Sequence, residues 1–252
     1  MGIMGLKIDV YVMVHNEEFI LPYFLRHYGS FSNKIVAFED QSTDNSRKIL
    51  EAYPNTIIVE PEEHGINEKY WTSTLWPMYE EISRGQVDYV IQVDADEFVY
   101  HPDLLSILEQ EKNKGTQMIF CKGYTMVADD LPMTDEQIYA EIRKGLPDRW
   151  SGKWALYDPS IHLRYGDGRH KVVDTNATNL NSHTGIKILH YRYLGKRYFE
   201  DRDIRNRKRF NVTDKIELEY SPTRRHNLPD GTRGVKLDWY ANNKSKAEDV
   251  VT

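Results

Sequence analysis

Two carboxylates stand two residues apart in Val93-Asp94-Ala95-Asp96, at the end of the strand-like run Val87–Val93. Such a pair can hold Mg²⁺ or Mn²⁺, hard cations that prefer oxygen ligands, and leave positions for water and diphosphate oxygens. An ion there would meet the charge that builds on a departing nucleoside diphosphate. An acidic loop open to water is the plain alternative, and a buried strand delivering both acids argues against it. A second acidic turn, Phe38-Glu39-Asp40-Gln41-Ser42-Thr43-Asp44, leaves another strand-like run. Its acids can accept hydrogen bonds from a ribose hydroxyl or a base N–H, and Ser42 or Thr43 is expected to cap the helix that follows. His170, flanked by Arg169 and Lys171, could face a diphosphate or lie on a polar turn.

The elements that must position these residues read as βαβαβαβ. Strands are expected over Ile8–Val14, Lys34–Phe38, Thr56–Glu60 and Val87–Val93, because each is a short run rich in β-branched residues. Helices are expected over Glu17–Tyr28, Asp44–Tyr53 and Glu68–Ser83. That order predicts an α/β fold, a mostly parallel sheet flanked by helices on both faces. In such sheets ligands bind outside the carboxyl ends of the strands. His15, Asn16 and Glu17, then Glu39 and Asp40, then Asp94 and Asp96 all fall at those ends. Pro102–Lys112 reads as a further helix and Gln117–Cys121 as a further strand. Beyond about residue 125 come short strands, expected to be antiparallel, over Trp154–Tyr157, Ile161–Tyr165, Lys171–Val173 and Ile186–Tyr191, then a basic helix, Tyr198–Phe210. The polar tail after Lys244 is expected to fray.

Val14-His15-Asn16-Glu17-Glu18, the Glu39-to-Asp44 turn and Val93-Asp94-Ala95-Asp96 resemble, in order and rough spacing over residues 8–125, the family 2-type glycosyltransferases of GT-A fold. The resemblance implies a Rossmann-like nucleotide-sugar-binding half, residues 1–125, and a smaller mixed acceptor-side half, residues 126–252. It implies that His15, Asn16, Glu17, Glu39, Asp40 and Asp94 line the nucleotide-sugar pocket and that Asp94 and Asp96 hold Mn²⁺ or Mg²⁺. The donor would be a UDP-sugar or GDP-sugar. Glu39 stands where the family usually has Asp, and Gln41 where it usually has Gly, so the base stays open. Similar enzymes take a further metal ligand, often His, from a late strand, and His190 in Ile188-Leu189-His190-Tyr191 matches that segment. Gly168-Arg169-His170-Lys171 and His183 are further candidates. Diphosphate or a phosphorylated acceptor could be met by His170, Lys171, Lys196 and Arg197, with Arg202, Arg205 and Arg209 following. An inverting transferase also needs a carboxylate base, for which Asp129, Asp130, Asp148 and Asp167 qualify by type. Trp150 and Trp154 could stack on an acceptor sugar or belong to the core.

At 252 residues, 40% hydrophobic and 29% charged, the chain suits one large soluble domain. No apolar run approaches the roughly 20 residues that span a bilayer. One cysteine, Cys121, excludes an intrachain disulfide framework, and an intracellular, cytoplasmic protein is the simplest expectation. Net charge is −6, yet Arg192–Lys236 carries 13 Lys and Arg against 7 Asp and Glu. That basic segment suits a phosphate-bearing partner or a solvated helix face. It permits modified, hydroxymethylated DNA as the acceptor in place of a glycan. A sugar-phosphate nucleotidyltransferase is a second class, disfavoured by the acidic, glycine-free loop after the first strand. A non-catalytic binding module is a third, disfavoured because clustered carboxylates repel without a cation.

Overall fold

The computed structural model describes residues 5–209 and 242–251. Strands β1 (Ile8–Val14), β2 (Lys34–Glu39), β3 (Thr56–Val59) and β4 (Tyr89–Asp94) pair in parallel in the order β3-β2-β1-β4. All seven residues of β1 are buried, and successive side chains enter opposite layers. Ile8, Val10, Val12 and Val14 join one apolar cluster with Leu21 and Phe24, while Tyr11 and Met13 join another with Leu75, Trp76 and Tyr79. A strand covered on both faces is mostly apolar, which is why β1 shows no alternation; its one carboxylate, Asp9, is buried with hydrogen bonds from Asn33 and Ser83. Each aliphatic side chain so buried contributes roughly 1.5–3 kcal/mol.

Helices α1 (Leu21–Gly29) and α2 (Ser46–Ala52) make the first two connections. The helix expected over Glu68–Ser83 is broken into α3 (Glu68–Tyr70), a π turn (Trp71–Leu75), a 3₁₀ turn (Trp76–Met78) and α4 (Tyr79–Ile82). Pro77 lies at the break, where it lacks an N–H and its ring crowds the preceding turn. The expected cap of α2 is also corrected. Asn45 precedes that helix with no side-chain cap, and Asp44 Oδ1 accepts the Ser46 amide at 2.8 Å. Ser42 Oγ is drawn instead to the Asn16 amide, 3.0 Å away.

The remaining elements are β5 (Glu97–Tyr100), α5 (Leu104–Asn113), β6 (Met118–Ala128), α6 (Ile138–Glu141), β7 (Lys144–Pro147), β8 (Lys153–Tyr157), β9 (Leu163–Tyr165), β10 (Val172–Thr175), β11 (Leu180–Asn181), β12 (Lys187–Leu194), α7 (Lys196–Arg209) and β13 (Glu248–Asp249). β8 lies antiparallel between β4 and β6, and β12 runs parallel to β6 and antiparallel to β5. The sheet is therefore mixed, and β6 passes through residue 125, tying the two expected halves together.

The tail departs from expectation. β13 pairs with β7, and Val250 and Val251 are each only 4% exposed. Lys187 Nζ donates to the Val250 carbonyl at 2.7 Å, so two apolar residues anchor a segment whose composition is polar. The basic segment beyond Arg209 falls outside the described residues up to 241.

Candidate functional site

Parallel pairing brings the acidic turns level. Val14 lies opposite Glu39 and Met13 opposite Asp94, so the chain leaves β1, β2 and β4 at one edge. Asn16 and Gln41 have φ of 54° and 52° in the two turns. Non-glycine residues rarely adopt that region, which glycine enters without strain.

The first two turns are stitched together. Asn16 Oδ1 accepts the amides of Thr43 and Asp44 at 2.6 and 3.2 Å, and His15 Nδ1 donates to the Asp40 carbonyl at 2.6 Å. Glu39 Oε1 accepts the Ser42 amide at 2.6 Å. Asp40 accepts from His64 Nδ1 and the Gly65 amide, both at 3.0 Å, and from Arg209 Nη2 at 2.5 Å. The side chains expected to line a nucleotide pocket are thus gathered at one edge, and each is engaged by the protein.

The third turn divides its two carboxylates. Asp94 Oδ1 accepts from Arg169 Nη2 at 2.7 Å, and Asp94 Oδ2 lies 3.4 Å from Lys153 Nζ. Both cations also reach Glu97, Lys153 at 2.5 Å and Arg169 at 3.5 Å. Glu97 is fully buried, and Lys153 and Arg169 are each 4% exposed. Arg169 has φ of 57°, and its guanidinium lies 4.1 Å from the centre of the Trp76 ring. Its Nη1 is buried without a hydrogen-bond partner. Asp96 faces the other way: its Oδ2 is 3.1 Å from His190 Nε2 and is also bound by Arg202, which bonds Glu17 at 3.2 Å.

These pairings set the acidities. Desolvation pushes the Asp94 carboxyl up, but Arg169 and then Lys153 outweigh it and bring it to about 2. Burial likewise raises Asp96, and Arg202 and His190 overcome it and hold the carboxyl well below its usual range. At Glu17 burial wins over Arg202 and the carboxyl is raised. For Asp148 burial is outweighed by hydrogen bonds from Ser151, the Trp150 amide and Thr125, and the carboxyl is lowered.

The like-charge repulsion expected at this edge is therefore relieved by the chain's own cations. Among the described residues, no three His, Cys, Asp or Glu side chains form a group that could hold a metal ion. Asp96 and His190 do form an adjacent carboxylate–imidazole pair. Two protein ligands suit a Mn²⁺-type ion that takes its other ligands from water and phosphate. Asp94, expected to share that role, is turned to Arg169 and Lys153.

Of the other expected residues, Asp148 joins the site through Ser151, whose Oγ lies 2.9 Å from His190 Nδ1. Asp167 is exposed, two residues before Arg169, and Asp130 is exposed beside a cavity of about 400 Å³ that Asp129 and Arg143 also line. His170 packs edge-on to Trp150, 5.7 Å between ring centres, and Trp150 is 53% exposed. Trp154 packs against Phe120. Lys171 and His183 are exposed. Lys196 and Arg197 lie on the open side of α7, 75% and 98% exposed, beside Glu200 and Asp201. Arg202, Arg205 and Arg209 lie on its inner side, where Arg205 donates to the Asn16 carbonyl. Sequence reasoning missed Glu97, Lys153 and Ser151, and singled out Arg169 only as a cation beside His170. Glu97 adjoins a singled-out position, whereas Lys153 shows only as a charge heading the apolar run Trp154–Tyr157.

No family model matches the chain, and no curated protein is significantly similar in sequence. Solved structures do resemble it. TarS residues 1–349 from S. aureus is 14% identical, with 74% of this chain and 60% of that one covered and a TM-score of 0.47. The same protein in complex with UDP-GlcNAc gives 14%, 96%, 73% and 0.48. Glucosyl-3-phosphoglycerate synthase from Mycobacterium tuberculosis, in complex with Mn²⁺, UDP and glucosyl-3-phosphoglycerate, is 20% identical with a TM-score of 0.35. That match covers 48% of this chain and 44% of the synthase, so this chain spans less than half of it. Likeness at that level assigns neither activity nor substrate.

Proposed function

We propose that this chain is a cytoplasmic glycosyltransferase that moves a sugar from a nucleoside-diphosphate sugar to an acceptor hydroxyl, with a divalent ion at Asp96 and His190. The observation that carries the reading is the strand-end edge where Glu39, Asp94 and the β1 turn lie level. There Asp96 stands 3.1 Å from His190, and Arg202, Arg205 and Arg209 reach across the turns. Bound there, the ion supplies positive charge beside the departing diphosphate.

The chain's own residues do the rest. Arg202 and Arg209, now on Asp96 and Asp40, are placed to exchange those carboxylates for phosphate oxygens, which accept the same charge-assisted bonds. Arg169 keeps Asp94 ionised. Asp148 is a poor base, because three donors stabilise its ionised carboxylate and lower its affinity for a proton. Asp167, free on the turn beside Arg169, takes the acceptor proton in this reading. Trp150 offers an exposed ring to a sugar face. A DNA acceptor is less supported, since α7 turns Arg202, Arg205 and Arg209 inward and sets acids beside its outer cations.

The test is hydrolysis of UDP- and GDP-sugars with and without Mn²⁺. Cation-dependent turnover of one donor, lost in Asp96→Ala, is expected. Turnover equal in that variant removes the metal assignment, and no turnover on either donor removes the function.

A further inference from the structure

Behind His190 runs a chain of side chains that the transfer reaction does not itself require. Asp148 accepts three hydrogen bonds: Thr125 Oγ1 at 2.9 Å, the Trp150 amide at 2.9 Å and Ser151 Oγ at 2.6 Å. A carboxylate has no proton to give, so the Ser151 hydroxyl must point its hydrogen at Asp148. Its oxygen is then an acceptor toward His190 Nδ1, 2.9 Å away, and Nδ1 must carry the proton. The opposite nitrogen, Nε2, is the one that faces Asp96 Oδ2 at 3.1 Å, where a proton or a cation can bridge the pair.

The backbone fixes this chain in place. β12 sets His190 level with Thr125 of β6, and the Asp148 amide donates to the Gly123 carbonyl at 2.9 Å. A Cβ on Gly123 would stand 2.2 Å from the Gly152 nitrogen and 2.5 Å from the Asp148 carbonyl oxygen, so only glycine lets the 148–152 loop approach β6 this closely. Ser151 is 3% exposed.

We infer that Asp148 and Ser151 are positioning residues that fix His190 as its Nδ1–H form and aim the Nε2 lone pair at a divalent cation on Asp96. The inference rests on the function proposed above. Partners behind a ligating histidine set its tautomer and orientation, and their loss weakens metal binding by about 10- to 100-fold. Asp148→Asn is the sharp variant. Its amide nitrogen can donate to Ser151, which turns the hydroxyl round and leaves Nδ1 without a partner for its proton.

Mn²⁺ binding to the full chain, read by calorimetry without any sugar donor, tests this. Asp148→Asn is expected to weaken binding about 10- to 100-fold. In Ser151→Ala the same Asn substitution should add little, because the relay is already cut. A Mn²⁺ affinity unchanged in Asp148→Asn, or equal added losses in both backgrounds, overturns the inference alone. Absence of Mn²⁺ binding in the unsubstituted chain overturns it together with the function. ¹⁵N spectra of the unsubstituted chain give a reading that no variant's folding can disturb. A protonated Nδ1 on His190 supports the assignment, and a bare Nδ1 contradicts it.

Discussion

Lys153 shows how much of the site lies in single charges the sequence hardly marks. It heads an apolar strand, yet its side chain is 4% exposed and its ammonium lies 2.5 Å from the fully buried Glu97. Removing one partner of such a pair strands the other charge out of water. Lys153→Ala is therefore expected to lower stability by about 3–5 kcal/mol in urea unfolding. A loss under about 1 kcal/mol would mean that Arg169 alone neutralises Glu97. Asp94 gives a pH signature. Its carboxyl is held at about 2 against an ordinary 3.8, so its contribution is complete above about pH 4 and is lost as pH falls through 2. Unfolding midpoints should drop across that window, less steeply in Asp94→Asn, and an identical slope in both would contradict the pairing. The Asp-x-Asp pair was legible because a buried run delivers it. That its two acids look in opposite directions was not, because their partners come from residues 153, 169, 190 and 202, far along the chain.

At the scale of elements, β1, β2 and β4 were legible because both faces are buried, and the broken helix after Glu68 was not, since its periodicity survives the Pro77 break. Helix α7 was legible as a basic helix, but not which side faces the acidic turns. Residues 202, 205 and 209 fall three and four apart and share one stripe. That stripe meets Glu17, Asn16, Asp96 and Asp40, while Lys196 and Arg197 look outward. Arg202 thus competes with any cation for Asp96. Arg202→Ala is expected to tighten Mn²⁺ binding in the absence of nucleotide and to weaken nucleoside diphosphate binding about 10- to 100-fold, the loss of a charge-assisted bond. Calorimetry checks both, and tighter nucleotide binding would show that Arg202 only blocks the pocket.

For the whole molecule, an α/β sheet with its acidic edge at the strand ends follows from the order of elements, whereas the mixed second half was expected from the resemblance and not from the pattern of its short strands. Strands such as β11 and β13 are two residues long and exist only through pairing with β6 and β7. Among the described residues no helix is long and apolar enough to cross a membrane. One edge collects the turns after β1, β2 and β4 and receives α7 across them; on the function proposed above, nucleotide and cation would bind there as one coupled event. The direct measurement is calorimetric titration of UDP and GDP, with and without Mn²⁺, into the unsubstituted chain and Asp96→Asn. Binding of one diphosphate that needs Mn²⁺ and disappears in Asp96→Asn is the predicted result. Binding indifferent to both the cation and the substitution would contradict it.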